Sequence, residues 1–213
     1  MILSQTLHCI AQSLLIPVIV FLYIFFLWSL VELGSFSVES VRRKRMSADR
    51  LITYFRNISD FNDLEKFIEE SELPKRGKEI LSQIFQNKDL SADSIYALKK
   101  KLIEDEEIRA TKVLEKTDII ARLGPLVGLM GTLIPLGPGL TAMANGDMKL
   151  LAESISVAFD NTVVGMGAAG ISYVISRIRR RWYEEYLSTL DEIANLFIEV
   201  IVDEKENEQL VTP

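Results

Sequence analysis

Apolar residues along this chain gather into three uncharged or nearly uncharged blocks separated by amphipathic stretches. That segregation predicts some helices that cross a bilayer and others that lie outside it. Leu14 to Val31 reads LLIPVIVFLYIFFLWSLV, eighteen residues without a charge. Leu123 to Ala144 is uncharged over twenty-two residues, and Ile155 to Ser176 carries one acid, Asp160, over another twenty-two. At about 1.5 Å of rise per residue, such blocks reach across a hydrocarbon core of about 30 Å. They are apolar all round, whereas the helices of a soluble bundle keep a polar face. The expected fold is an all-α membrane protein with three transmembrane helices.

Between the first two blocks the pattern shortens to amphipathic helices with recognisable starts. Ser47 is placed to cap a helix carrying Leu51, Ile52, Tyr54 and Phe55, and Asp60 to cap one carrying Leu64, Phe67 and Ile68. Pro74 suits a first-turn position ahead of Ile80, Leu81, Ile84 and Phe85. From Ser91 onward no glycine or proline occurs until Gly124, so a helix is expected to run straight into the second span. Ile175 to Val202 also lacks both residues and places Tyr183, Leu187, Leu190, Ala194, Phe197 and Ile201 on one stripe, which extends the third-span helix beyond the membrane. This stripe suits either the chain's own long helix or a neighbouring subunit.

Charge orients the spans. Of the 213 residues 48% are hydrophobic and 25% charged, so the apolar material is confined to its blocks. Arg42, Arg43, Lys44 and Arg45 follow the first span; Arg109, Lys112, Lys116 and Arg122 precede the second; Arg177, Arg179, Arg180 and Arg181 follow the third. The opposite side offers only Lys149, which places the amino terminus outside and the carboxyl terminus in the cytoplasm of a multi-pass plasma or inner membrane protein. Residues 1–33 then hold the outer terminus and first span, 34–122 a cytoplasmic helical domain, 123–176 a hairpin of two spans, and 177–213 a cytoplasmic extension with an acidic tail. The start lacks a basic n-region and a small-residue cleavage site, so it is expected to stay as an anchor. Trp28, Tyr173, Trp182 and Tyr183 suit the interfacial aromatic belt.

Several chemistries lack their parts. The net charge of −6, with basic residues explained by topology and lipid headgroups, argues against nucleic acid as a partner. Cys9 is the single cysteine and His8 the single histidine, so neither an internal disulfide nor a metal site is expected, and no cofactor is implied. HExxH, GxxxxGK[ST] and GxSxG motifs do not occur, so the chain is not expected to be an enzyme.

Nine of the eleven glycines fall between Gly124 and Gly170, where small residues let helix backbones approach inside a bilayer. Gly124, Gly128 and Thr132 recur at intervals of four with Gly131 beside them, leaving one face of the second span nearly bare. Ala158, Thr162, Gly165 and Ala169 form a comparable face on the third. Simple helix packing explains such faces as readily as a functional one does. Thr132 and Thr162 are also open to two readings: ordinary bonding to a carbonyl one turn back, or lining of an ion route. Asp160 and Asn161 stand next to Thr162, either in the ion pathway or, for Asp160, as a hydrated residue of the helix's entry turns. Pro135 and Pro138, in the run IPLGPG, remove backbone donors and are expected to kink or interrupt the second span, with protein or water taking up the freed carbonyls.

These residues resemble the MotA/TolQ/ExbB proton channel family. Pro125-Leu-Val-Gly128-Leu-Met-Gly131-Thr132 is similar to its PxxGLxGT element, and Ala158-Phe-Asp-Asn-Thr162-Val-Val-Gly165 to its AxxxTxxG element. One span, a long loop and two further spans look like the TolQ/ExbB branch, since flagellar MotA-type members carry an additional span before the loop. The resemblance implies a homopentameric ring around a pair of single-span, ExbD/TolR-like partner helices, each bringing an essential aspartate. Thr132 and Thr162 would line the route of a transported proton or sodium ion, and ion flow would drive partner movement or transport. Asp160, Asn161 and IPLGPG depart from the family's usual sequence. The competing reading is a non-conducting scaffold that recruits a partner through its cytoplasmic helices. A self-sufficient channel is disfavoured by the lack of a deep acidic residue.

Overall fold

A computed structural model describes residues 2–42, 63–71 and 73–211, and every regular element among these residues is an α-helix. The helices are α1 (Ile2–Ser13), α2 (Leu15–Arg42), α3 (Asp63–Glu70), α4 (Lys75–Gln86), α5 (Ala92–Ala144) and α6 (Met148–Val211). The expected caps Ser47 and Asp60, and the helix carrying Leu51 to Phe55, lie outside the described residues. Pro74 is the N-cap of α4, one position before the first turn where it was expected.

Pro17 accounts for the junction of α1 and α2. It has no N–H to donate to the Ser13 carbonyl, so the regular ladder is broken there. The Leu14 N–H reaches the carbonyls of both Ile10 and Ala11 at 3.2 Å, and Val18 resumes the ladder to Leu14 at 3.0 Å.

Among the described residues, two helical stretches are long and apolar enough to cross a membrane, Gln5–Val41 and Ala92–Ala144. The expected third span, 155–176, forms the early part of α6, where Asp160, Asn161, three serines and three glycines dilute the apolar character. With 53 and 64 residues, α5 and α6 are about 80 and 95 Å long, far beyond one bilayer crossing. The long helical extensions predicted from the missing glycines and prolines are therefore present. Of the kink or interruption expected at Pro135 and Pro138, the interruption does not occur, because α5 is helical through Pro125, Pro135 and Pro138.

The α5–α6 turn is built by three residues. Gly146 takes φ +80°, a left-handed conformation that costs glycine nothing, and the Asp147 N–H returns to the Ala142 carbonyl at 2.9 Å, closing the Schellman pattern. Asp147 then caps α6, its carboxylate accepting from the Leu150 N–H at 3.0 Å.

The chain forms two compact units. One combines Met1–Arg42 with Val113–Arg179; the other takes the described residues of Arg43–Lys112 and Arg180–Pro213. The second unit holds a conventional apolar core. Leu64 and Phe67 of α3 and Leu81 and Ile84 of α4 are fully buried there with Ile95 of α5, against Leu190, Ile193, Ala194, Phe197 and Ile198 of α6. Each of these leucine, isoleucine and phenylalanine side chains contributes about 1.5–3 kcal/mol. The α6 stripe thus covers helices of its own chain, and it enters this core at Tyr186 in place of the expected Tyr183. Lys99 fixes α5 on α6 through Asp191 at 2.6 Å and Asn195 at 2.8 Å. Tyr186 is buried over Gly77, where a methyl group would stand 3.4 Å from the phenol oxygen. That oxygen has no hydrogen-bond partner among the described residues, and burial raises its pKa well above the usual tyrosine value, with Glu106 adding to the effect.

Candidate functional site

Within the first unit, α5 and α6 run against each other along a seam of small residues. A Cβ on Gly124 would meet the Ala169 Cβ at 2.9 Å and the Gly165 carbonyl at 3.0 Å. One on Gly165 would meet the Gly124 carbonyl and the Gly128 Cα, both at 2.9 Å, and Leu22 of α2 at 3.1 Å. Further out, a Cβ on Gly131 would stand 2.7 Å from that of Asn161, and one on Gly139 2.9 Å from that of Ser154. Real Cβ atoms do not approach backbone so closely, so the glycines are what allow the two backbones to meet. Gly124, Gly128, Gly131, Gly165 and Ala169 therefore pack helix on helix within one chain.

The polar residues expected along an ion route take distinct places around this seam. The Thr132 hydroxyl donates to the Leu129 carbonyl at 2.7 Å, and that of Thr162 to the Ala158 carbonyl at 3.2 Å, both bonding back along their own helices. Each keeps oxygen lone pairs that can accept. Asn161 faces the seam, and its amide donates to the Gly131 carbonyl across the helices at 2.9 Å. Asp160 is exposed and joins no hydrogen bond or ion pair among the described residues. Gln12, from α1, donates to the Ile134 carbonyl at 3.4 Å.

Around Arg179 lies a second polar group that the sequence pattern did not single out. Arg179 is 4% exposed, and its guanidinium donates to Glu32 at 2.6 Å and to Glu39 at 2.9 Å, tying α6 to α2. Burial acts to lower its pKa, but the two carboxylates outweigh that penalty and raise it, so the group stays charged. Glu32 also accepts from the Trp28 indole at 3.4 Å, and Lys116 lies 5.6 Å from the centre of that ring. Nearby, the Ser176 hydroxyl donates to Asp118, joining α6 to α5. The signal for the Arg179 cluster was the spacing of Glu32 and Glu39, seven residues apart on one face of a helix. Arg179 itself reads in sequence as one more member of a basic belt.

Long apolar helices brought to backbone contact by glycine, with hydroxyl and amide groups placed beside that contact, belong to membrane proteins whose helices pack around a polar interior. The chain's family is the MotA/TolQ/ExbB proton channel family, whose model matches residues 72–192, more than half of its length. The match takes in all of α5 and most of α6, and it makes this protein a member of a membrane channel and energy-transducing family and not of an enzyme family. A comparison with curated proteins found no match.

Proposed function

We propose that this protein is the ring-forming membrane subunit of an ion-driven energy-transducing complex, of the TolQ/ExbB branch. In this reading α2, the outer half of α5 and residues 155–176 of α6 are three spans, with the amino terminus outside and the carboxyl terminus in the cytoplasm. Five copies surround a pair of single-span, ExbD/TolR-like partner helices that each supply an essential aspartate. Thr132 and Thr162 line the route of a proton or sodium ion, and Asp160 stands hydrated near its outer mouth. A carboxylate inside a bilayer changes charge at low cost only where polar groups stand ready, and the free lone pairs of the two threonines are such groups. The carrying observation is that the family match contains both threonine motifs, on two helices that pack directly against each other.

The test is co-purification with a single-span partner bearing an intramembrane Asp, followed by ion flux in reconstituted vesicles. Thr132→Ala and Thr162→Ala should each lower flux by about tenfold, the effect of losing one hydrogen bond to a charged group. Undiminished flux in both variants would remove the lining role. A preparation without any such partner would favour the scaffold reading.

A further inference from the structure

An α-helical carbonyl accepts from the N–H four residues further on, so each proline inside α5 leaves one carbonyl without its partner. Pro125 frees the carbonyl of Ala121, Pro135 that of Gly131, and Pro138 that of Ile134. The Gly131 and Ile134 carbonyls each receive a side-chain amide from another helix: Asn161 of α6 at 2.9 Å and Gln12 of α1 at 3.4 Å. Each donor also approaches past a glycine. A Cβ on Gly131 would stand 3.2 Å from the Asn161 amide nitrogen, and one on Gly137 would stand 3.6 Å from that of Gln12. Proline, freed carbonyl, bare glycine and amide donor thus occur together twice.

We propose that Asn161 and Gln12 are surrogate backbone donors, replacing the N–H groups that Pro135 and Pro138 lack, and so positioning α6 and α1 against α5. A buried carbonyl left unpaired in an apolar surrounding is costly, which is what makes the pairing specific. Asn161 is then a positioning residue: it holds α6 in register with α5 at the level of Thr132 and Thr162. One of its two amide protons is committed to backbone. The inference stands on helix chemistry and does not depend on the ion route.

The experiment is a pair of double-variant cycles on the purified full chain in lipid nanodiscs, read by thermal unfolding. Asn161→Leu keeps the side chain's approximate size and removes the donor, and should lower the melting temperature by about 4 °C. In a Pro135→Ala background the restored N–H serves Gly131, and the same change should cost less than about 1 °C. Pro138→Ala should rescue Gln12→Leu in the same way. The rescues should not cross over: Pro138→Ala should leave the Asn161→Leu deficit intact. Equal losses in both backgrounds, or rescue by either proline change without regard to position, would overturn the proposal. If Asn161→Leu alone yields no folded protein, recovery of folded yield with Pro135→Ala supports it, and no recovery counts against it.

Discussion

At the residue scale, Arg179 carries a buried charge interaction with two carboxylates. Its side chain is 5% exposed, and those of Glu32 and Glu39 are 16% and 37% exposed. Removing the cation strands the Glu32 carboxylate in a poorly hydrated place, which generally destabilises more than the intact pair ever stabilised. Arg179→Met should therefore cost about 3 kcal/mol, near the low end for a buried pair because Glu39 can still reach water. Replacing Glu32 and Glu39 by Gln in the same chain should restore most of that loss, measured by denaturant unfolding of the purified protein. A single variant as stable as the parent would show that the cluster is hydrated and contributes little. The seven-residue spacing of Glu32 and Glu39 puts them on one helical face, a signal the sequence reading passed over, and it does not name their partner. Four arginines fall within the five residues from Arg177 to Arg181, and only packing decides which of them turns toward α2.

Among elements, the α5–α6 hairpin depends on backbone contact and not on side-chain volume. Gly165 has the Gly124 carbonyl and Gly128 Cα 2.9 Å from where its Cβ would be, and backbone cannot give way as a flexible side chain can. Gly167, two residues on, has open space at that position. Gly165→Val should therefore destabilise the hairpin by about 2–3 kcal/mol through overpacking. Gly167→Ala should be neutral or stabilising by up to about 1 kcal/mol from helix propensity. Unfolding of both variants in mixed micelles checks the contrast, and a similar response at the two positions would mean that the seam is not formed. The spacing of these glycines was legible because residues three and four apart share a helix face. The identity of the covering helix was not, since a neighbouring subunit fits a bare face as well as the chain's own hairpin does. The prolines were legible as breaks in the backbone ladder, but the groups that meet the carbonyls of Gly131 and Ile134 were not, because Asn161 and Gln12 lie far away in sequence.

Across the whole molecule, the two units rely on different physics. The first unit rests on glycine contact, freed carbonyls and a buried ion cluster, and the second on an ordinary apolar core. In that core Tyr186 brings a pH dependence. Its pKa is raised in the folded state, so the stabilisation this implies is present below the usual tyrosine value near ~10 and is lost as pH rises past it toward the folded value. Alkaline unfolding should begin above about pH 10. Tyr186→Phe should move it to higher pH, with stability at pH 7 equal to the parent or higher by about 1 kcal/mol, because an unpartnered buried hydroxyl is removed. Circular dichroism across an alkaline titration reads both effects, and an unchanged alkaline limit in the variant would assign that limit to other groups.

Helix existence, helix length, the bare glycine faces and the basic belt are properties of the sequence alone, because a 3.6-residue repeat and a run of uncharged residues are local. Pairing is not local. Asn161 meets Gly131 thirty residues away, and Arg179 meets Glu32 across 147. Which polar group fills which gap depends on helices first being packed, and only the tertiary structure could decide that.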